Sequence, residues 1–133
     1  MLRKLMLRII AVTLLAGGVV RLFSNQALFE AFRIGEIWPE TPYSLYIYRV
    51  LAGFVILSAI LIWIISREPE RYRTLLKGFA WGFDIIGIVM VVAGITSGLP
   101  HRYYVSDPAY CFIVAILLWH SARHPTVTYP DRG

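Results

Sequence analysis

Residues 44–66 read SLYIYRVLAGFVILSAILIWIIS, and residues 67–73 continue REPERYR. One charged side chain, Arg49, interrupts the first segment, and the second is almost wholly charged. A helix needs ~20 apolar residues to cross ~30 Å of hydrocarbon, and the first segment has that length. Three further runs of the same kind are Leu5–Phe23, Gly78–Leu99 and Val105–Ala122. Together with Ser44–Ser66 they predict an all-α, polytopic membrane protein. The expected fold is a four-transmembrane-helix bundle forming a single transmembrane domain over residues 1–133.

Composition agrees. Of 133 residues, 58% are hydrophobic, and the mean hydropathy is +0.64. Ordinary soluble domains sit near ~45–50% apolar, and a short soluble chain cannot bury a larger share. The formal net charge is +5. In a soluble protein that would raise nucleic-acid binding, but here the basic residues lie between apolar runs and read as a topology signal, with no nucleic-acid partner. The single cysteine, Cys111, lies inside the fourth run and reads as a small hydrophobe. The first run, preceded by Arg3, Lys4 and Arg8, has the outline of a secretory signal. Arg21, Leu22 and Phe23 stand where small residues would be wanted for cleavage, so it reads as a retained first helix.

Charge sorts by segment. Arg3, Lys4 and Arg8 precede the first run; Arg67, Arg71, Arg73 and Lys77, against Glu68 and Glu70, follow the second; Arg123 and Arg132, against Asp131, follow the fourth. The alternate loops hold Arg33 against Glu30, Glu36 and Glu40, and Arg102 against Asp107. Under the positive-inside rule both termini and the middle loop are cytoplasmic. Trp63, Trp81 and Trp119 fall near the inner ends of the runs, and Tyr43, Tyr46, Tyr48, Tyr103, Tyr104 and Tyr110 near the outer ends, as two interfacial belts would.

Between the first two runs, Leu28, Phe29, Phe32 and Ile37 recur near helical spacing. The segment 25–41 is therefore expected to form an amphipathic helix on the outer surface, stopped by Pro39 and Pro42. Pro69 is placed to start the third helix, and Pro100 and Pro108 bracket the last outer turn. Gly78, Gly82, Gly87, Gly94 and Gly98 form a small-residue stripe along the third run. Small residues let membrane helices approach closely, so this helix is expected to be the most tightly packed. Gly87, Gly94 and Gly98 are its candidate interface, within the bundle or toward another subunit.

Four ionisable residues fall at membrane depth: Arg21, Arg49, Asp84 and His120. An Arg or Asp at mid-helix costs ~2.5–3.5 kcal/mol unless it is paired, hydrated or shallow. Arg21 can snorkel outward. Arg49 is expected to pair with Glu30, Glu36 or Asp107 and so pin the outer loop; alternatively Arg21 and Arg49 form an anion or headgroup site. Asp84 is expected to be protonated, hydrogen-bonded or paired with His120 at similar depth, close to Trp81. That is a structural pair on one reading and a proton relay or ligand-binding carboxylate on the other. His120-xxx-His124 has ligand-compatible spacing but no third ligand, and Pro125 follows, so no metal centre is expected. No nucleophile elbow, phosphate loop or CxxC is present. No catalytic residues, enzymatic activity or cofactor are therefore expected.

Tyr48-Arg49-Val-Leu-Ala-Gly53, Arg67-Glu-Pro-Glu-Arg-Tyr72, Gly98-Leu-Pro100 and Tyr104-Val-Ser-Asp107-Pro-Ala-Tyr-Cys111-Phe together resemble the small BphX-like family. The likeness covers about Tyr43 to Leu118. These are short bacterial four-helix membrane proteins, first noticed beside aromatic-ring dioxygenase genes. The resemblance implies a bacterial inner (cytoplasmic) membrane location and no catalytic residues. The first run and outer loop match less clearly.

Small size, short loops, the glycine stripe and missing chemistry point to a non-enzymatic membrane subunit or accessory protein. Its expected partners are membrane lipids and other membrane subunits or a second copy of itself. The alternatives are a binder or carrier of a hydrophobic small molecule (a quinone, lipid or aromatic compound) near Asp84, His120 and Trp81, or a small transporter or channel.

Overall fold

A computed structural model describes residues 2–33, 35 and 38–123. Among these the secondary structure is entirely helical, in the order α1 (Leu2–Phe23), α2 (Gln26–Ala31), α3 (Pro42–Ile65), α4 (Arg73–Thr96), α5 (His101–Tyr104) and α6 (Ser106–Arg123). Four helical stretches, α1, α3, α4 and the α5–α6 segment His101–Arg123, are long and apolar enough to cross a membrane.

Local chemistry sets the boundaries. The Asn25 side chain caps α2 by accepting from the Leu28 amide at 2.9 Å. Arg33, with φ 57, lies just beyond that helix in the left-handed region, so α2 has six residues, far shorter than the apolar spacing over 25–41 predicts. Ile37, expected on its apolar face, lies outside the described residues. Thr41 caps α3 through the Ser44 amide, and Pro42 occupies the first turn, where its missing N–H costs nothing. Pro69 does not start α4. It is buried in the preceding turn, and the helix begins at Arg73. The apolar run therefore marks only part of α4, whose first residues also include Arg73 and Lys77.

At its other end α4 closes with Ser97 as cap and Gly98 at φ +67. The Leu99 amide bonds the Gly94 carbonyl and the Gly98 amide bonds the Ile95 carbonyl, both at 3.1 Å. This is a Schellman closure, which favours glycine for its left-handed backbone. Gly98 therefore terminates the helix instead of extending the packing stripe.

The helices form two antiparallel hairpins. Within the first, α1 packs on α3; within the second, α4 packs on α6. The hairpins meet where α1 meets α6, and α3 and α4 are not a packed pair although they are consecutive. A shared apolar core runs through the junction. It includes Leu7, Ile10 and Leu14 of α1, Ile62 of α3, Leu76 and Phe83 of α4, and Val114 and Leu118 of α6. The most deeply packed helix is α6, with seven buried positions in 18 residues, against five in 24 for α4. The third apolar run is thus not the best-buried one. Its aliphatic residues, among them Ile85, Ile88, Val89, Val92 and Ile95, face outward.

At Gly18 the backbones of α1 and α3 come close together. A Cβ there would stand 2.6 Å from Ile56 Cγ1 and 3.2 Å from both the Ala52 carbonyl oxygen and the Ile56 amide. Backbone cannot yield as a flexible side chain can, and overpacking typically costs ~1–3 kcal/mol. Gly17, one residue earlier, has open space. Gly18→Leu is expected to lower the thermal midpoint in mild detergent by several degrees, with Gly17→Leu close to wild type. Equal effects at the two positions would contradict this packing.

Candidate functional site

Polar side chains gather in two regions: the end of the bundle where α4 begins and α6 finishes, and the opposite end where α1 meets the start of α6.

At the first, the ring of Trp81 on α4 meets that of Trp119 on α6 edge to face, with centroids 5.6 Å apart. The Arg123 guanidinium stands 5.9 Å from the Trp119 ring. Nearby, Arg73 at the start of α4 donates to the carbonyl oxygens of Ala122 at 2.5 Å and Arg123 at 3.5 Å. A cation is favourable at the final carbonyls of a helix, where orphan acceptors and the negative dipole end coincide.

Asp84 and His120 do not join this cluster as a pair. Asp84 is half-buried, and no hydrogen bond or ion pair to it forms among the described residues. His120 is exposed. Rotation about the helix axes is the reason. At ~100° per residue, His120 lies roughly half a turn round α6 from Leu118, on the side away from the buried stripe Val114, Leu118, Ser121 and Ala122. The register adds to this: Trp81 meets Trp119 and Gly87 meets Phe112, so Asp84 lies about a turn further along the helix pair than His120. His124, the second half of the possible metal-binding pair, lies outside the described residues.

At the opposite end, Arg21 on α1 donates to the Asp107 carboxylate at the start of α6, 2.6 Å away. Asp107 therefore meets Arg21, not Arg49. Arg49 is exposed on α3 and has no ion-pair partner among the described residues, and it does not share Arg21's ion pair. Glu36, another expected partner of Arg49, lies outside the described residues. Among the described residues the α2 segment is held by aromatic contact. Phe29, the buried residue of α2, meets Trp38 at 5.0 Å and Tyr48 at 6.1 Å, both edge to face.

The glycines expected at an interface seat rings of their own chain. A Cβ on Gly87 would fall 2.9 Å from the Phe112 ring, and one on Gly94 would fall 2.4 Å from the Tyr104 ring. Gly78 and Gly82 have nothing within 4 Å of a Cβ. Their small surface is left uncovered.

Sequence reasoning missed a contact halfway along the α1–α6 junction, where the Thr13 and Tyr110 hydroxyls are 2.7 Å apart. Thr13 also bonds the Ile10 carbonyl at 3.0 Å. Neither residue has a motif around it, and only the register of two helices distant in sequence brings them together. A cleft of about 220 Å³ opens between the end of α4 and the start of α6, lined in part by Met90, Gly94, Tyr103, Tyr104 and Asp107.

Comparison with protein-family models, curated proteins and solved structures finds no match to this chain.

The Thr13–Tyr110 bond is expected to contribute ~0.6 kcal/mol, the usual size of a side-chain bond between membrane helices. A double-mutant cycle with Thr13→Val and Tyr110→Phe, read by reversible unfolding in mixed micelles, should return a coupling of that order. A coupling indistinguishable from zero would mean that the hydroxyls do not hold the hairpins together.

Proposed function

We propose that this chain is a non-enzymatic, multi-pass subunit or accessory protein of the bacterial inner membrane, working within a larger assembly or as a homo-oligomer. Four helices cross the bilayer, with the N-terminus, the turn between α3 and α4, and the end of α6 in the cytoplasm.

The charge distribution supports that orientation. Arg3 bonds Glu70 and the Pro69 carbonyl, so the basic start of α1 and the basic turn before α4 lie at one end of the bundle. The sequence around the opposite end shows no such excess, with Glu30, Glu36, Glu40 and Asp107 against Arg21, Arg33, Arg49 and Arg102. Positive residues are retained on the cytoplasmic side. The outward apolar faces of all four helices need lipid around them. The bacterial location rests on the family resemblance of residues 43–118.

The observation that carries the subunit reading is Asp84. A carboxylate well inside an apolar helix costs ~2.5–3.5 kcal/mol, and lipid offers it nothing. Within its own chain it has no partner among the described residues. A polar or cationic group from a neighbouring helix satisfies it, and the uncovered Gly78-xxx-Gly82 pair offers a second place of close approach on the same helix. The glycines at 87 and 94 are unavailable for this, since rings of the same chain occupy them.

A second reading, a binder of a hydrophobic small molecule, has the cleft beside Tyr103 and Tyr104 in its favour. At about 220 Å³ it falls below the ~300–1,000 Å³ usual for ligand pockets.

Asp84→Leu separates these readings. In native nanodiscs followed by mass spectrometry, the wild-type chain is expected to carry a second membrane subunit or a second copy. Asp84→Leu should weaken that association at least about tenfold, equivalent to ~1.4 kcal/mol. The isolated variant should melt higher than the isolated wild type, because an unsatisfied carboxylate has gone. Undiminished association in Asp84→Leu would overturn the subunit reading.

A further inference from the structure

At the end of the bundle where α1 starts, an open cleft of about 410 Å³ separates the first turn of α1 from the turn joining α3 to α4. Four cations line it, Arg3, Lys4, Arg67 and Arg71, together with Glu68 and Glu70. Both carboxylates are already engaged. Glu70 takes the Arg3 guanidinium, and Glu68 stands 3.5 Å from Arg71. Lys4 and Arg67 have no acidic partner among the described residues. Arg3 itself is largely buried, with 14% of its side chain exposed, and its Nε has no hydrogen-bond partner. A buried donor left unmade costs ~1–3 kcal/mol. The cleft therefore has an excess of two positive charges and an orphan donor, which matches a phosphate bearing one or two negative charges.

Position decides which phosphate. Leu2 and Leu5, exposed within the same turn of α1 as Arg3 and Lys4, offer an apolar flank directly beside the cations. α3 ends at Ile65, just before this turn. In the multi-pass reading above, on which this inference rests, the cleft opens at the headgroup level of the cytoplasmic leaflet. Basic pockets at that level recognise anionic lipid headgroups.

We propose that this cleft binds the phosphate of an anionic phospholipid, with Lys4 and Arg67 as its principal contacts and the acyl chains along α1. The shared chemistry with a free phosphate ion is the phosphate group, and the lipid is distinguished by its chains.

The test uses the full chain in nanodiscs of mixed phosphatidylglycerol and phosphatidylcholine, released into native mass spectrometry. Lys4→Gln/Arg67→Gln is compared with wild type and with Arg49→Gln, which removes an exposed cation outside the cleft. Both residues of the double variant are exposed, so folding should be kept, and a melting curve checks it. Wild type is expected to retain phosphatidylglycerol in preference to phosphatidylcholine, and millimolar inorganic phosphate should not displace it. The double variant should lose that preference by about twenty-five-fold, roughly fivefold for each cation, and Arg49→Gln should not. Equal retention of the two lipids by wild type, equal loss in Arg49→Gln, or full displacement by inorganic phosphate would overturn the lipid assignment. The readout is lipid on the isolated chain, so it stands apart from subunit association. A chain that did not insert would leave the nanodisc altogether.

Discussion

A peptide group inside hydrocarbon has no water to bond, and each one left unpaired costs several kcal/mol. In the proposed multi-pass reading the chain meets that demand by closing nearly all of its apolar sequence into helices. Turns are confined to stretches rich in proline, glycine and charge, and the ends are closed by local devices: Asn25 and Thr41 at two helix starts, Gly98 at one helix end. Once every long run is a helix with its backbone satisfied, what remains is how the helices find one another when lipid competes on equal terms with aliphatic side chains.

Within each hairpin the answer is close approach. Gly18 lets α1 come within contact of the α3 backbone, and Gly87 and Gly94 admit aromatic rings into the surface of α4. In a bilayer, dispersion over such surfaces would replace the hydrophobic drive that acts in water. Between the hairpins the junction of α1 with α6 adds polar stitches, Thr13 with Tyr110 and Arg21 with Asp107. Arg3 ties the start of α1 to the turn before α4. These links are directional, so they fix which faces of the two hairpins meet, where packing alone would tolerate several rotations.

Hydropathy located the four long helices to within a few residues, because an apolar run and a helix coincide wherever the backbone must be satisfied internally. It misjudged where α4 begins, since Arg73 and Lys77 break up the apolar pattern there although Leu76 between them is buried. The pairing of Asp84 with His120 was inferred from depth, and depth carries no information about rotation around each axis. The same gap applies to Arg49, for which Asp107 was one of three expected partners beside Glu30 and Glu36, while Arg21 is the residue that holds Asp107. Gly98 was indistinguishable from its neighbours in a stripe of glycines until its positive φ identified it as a cap. The basic cleft was visible only as a charge excess. Its depth depends on α1 folding back against a turn more than sixty residues away in the chain.

The central claim is that four helices cross the bilayer with the α3–α4 turn inside. Single cysteines placed at Glu40, Glu68 and Ser97 in a Cys111→Ser background, exposed to a membrane-impermeant maleimide on intact cells and on inverted vesicles, address it directly. Labelling at 40 and 97 only from outside, and at 68 only from inside, is the predicted pattern. Labelling of all three from the same side would contradict it.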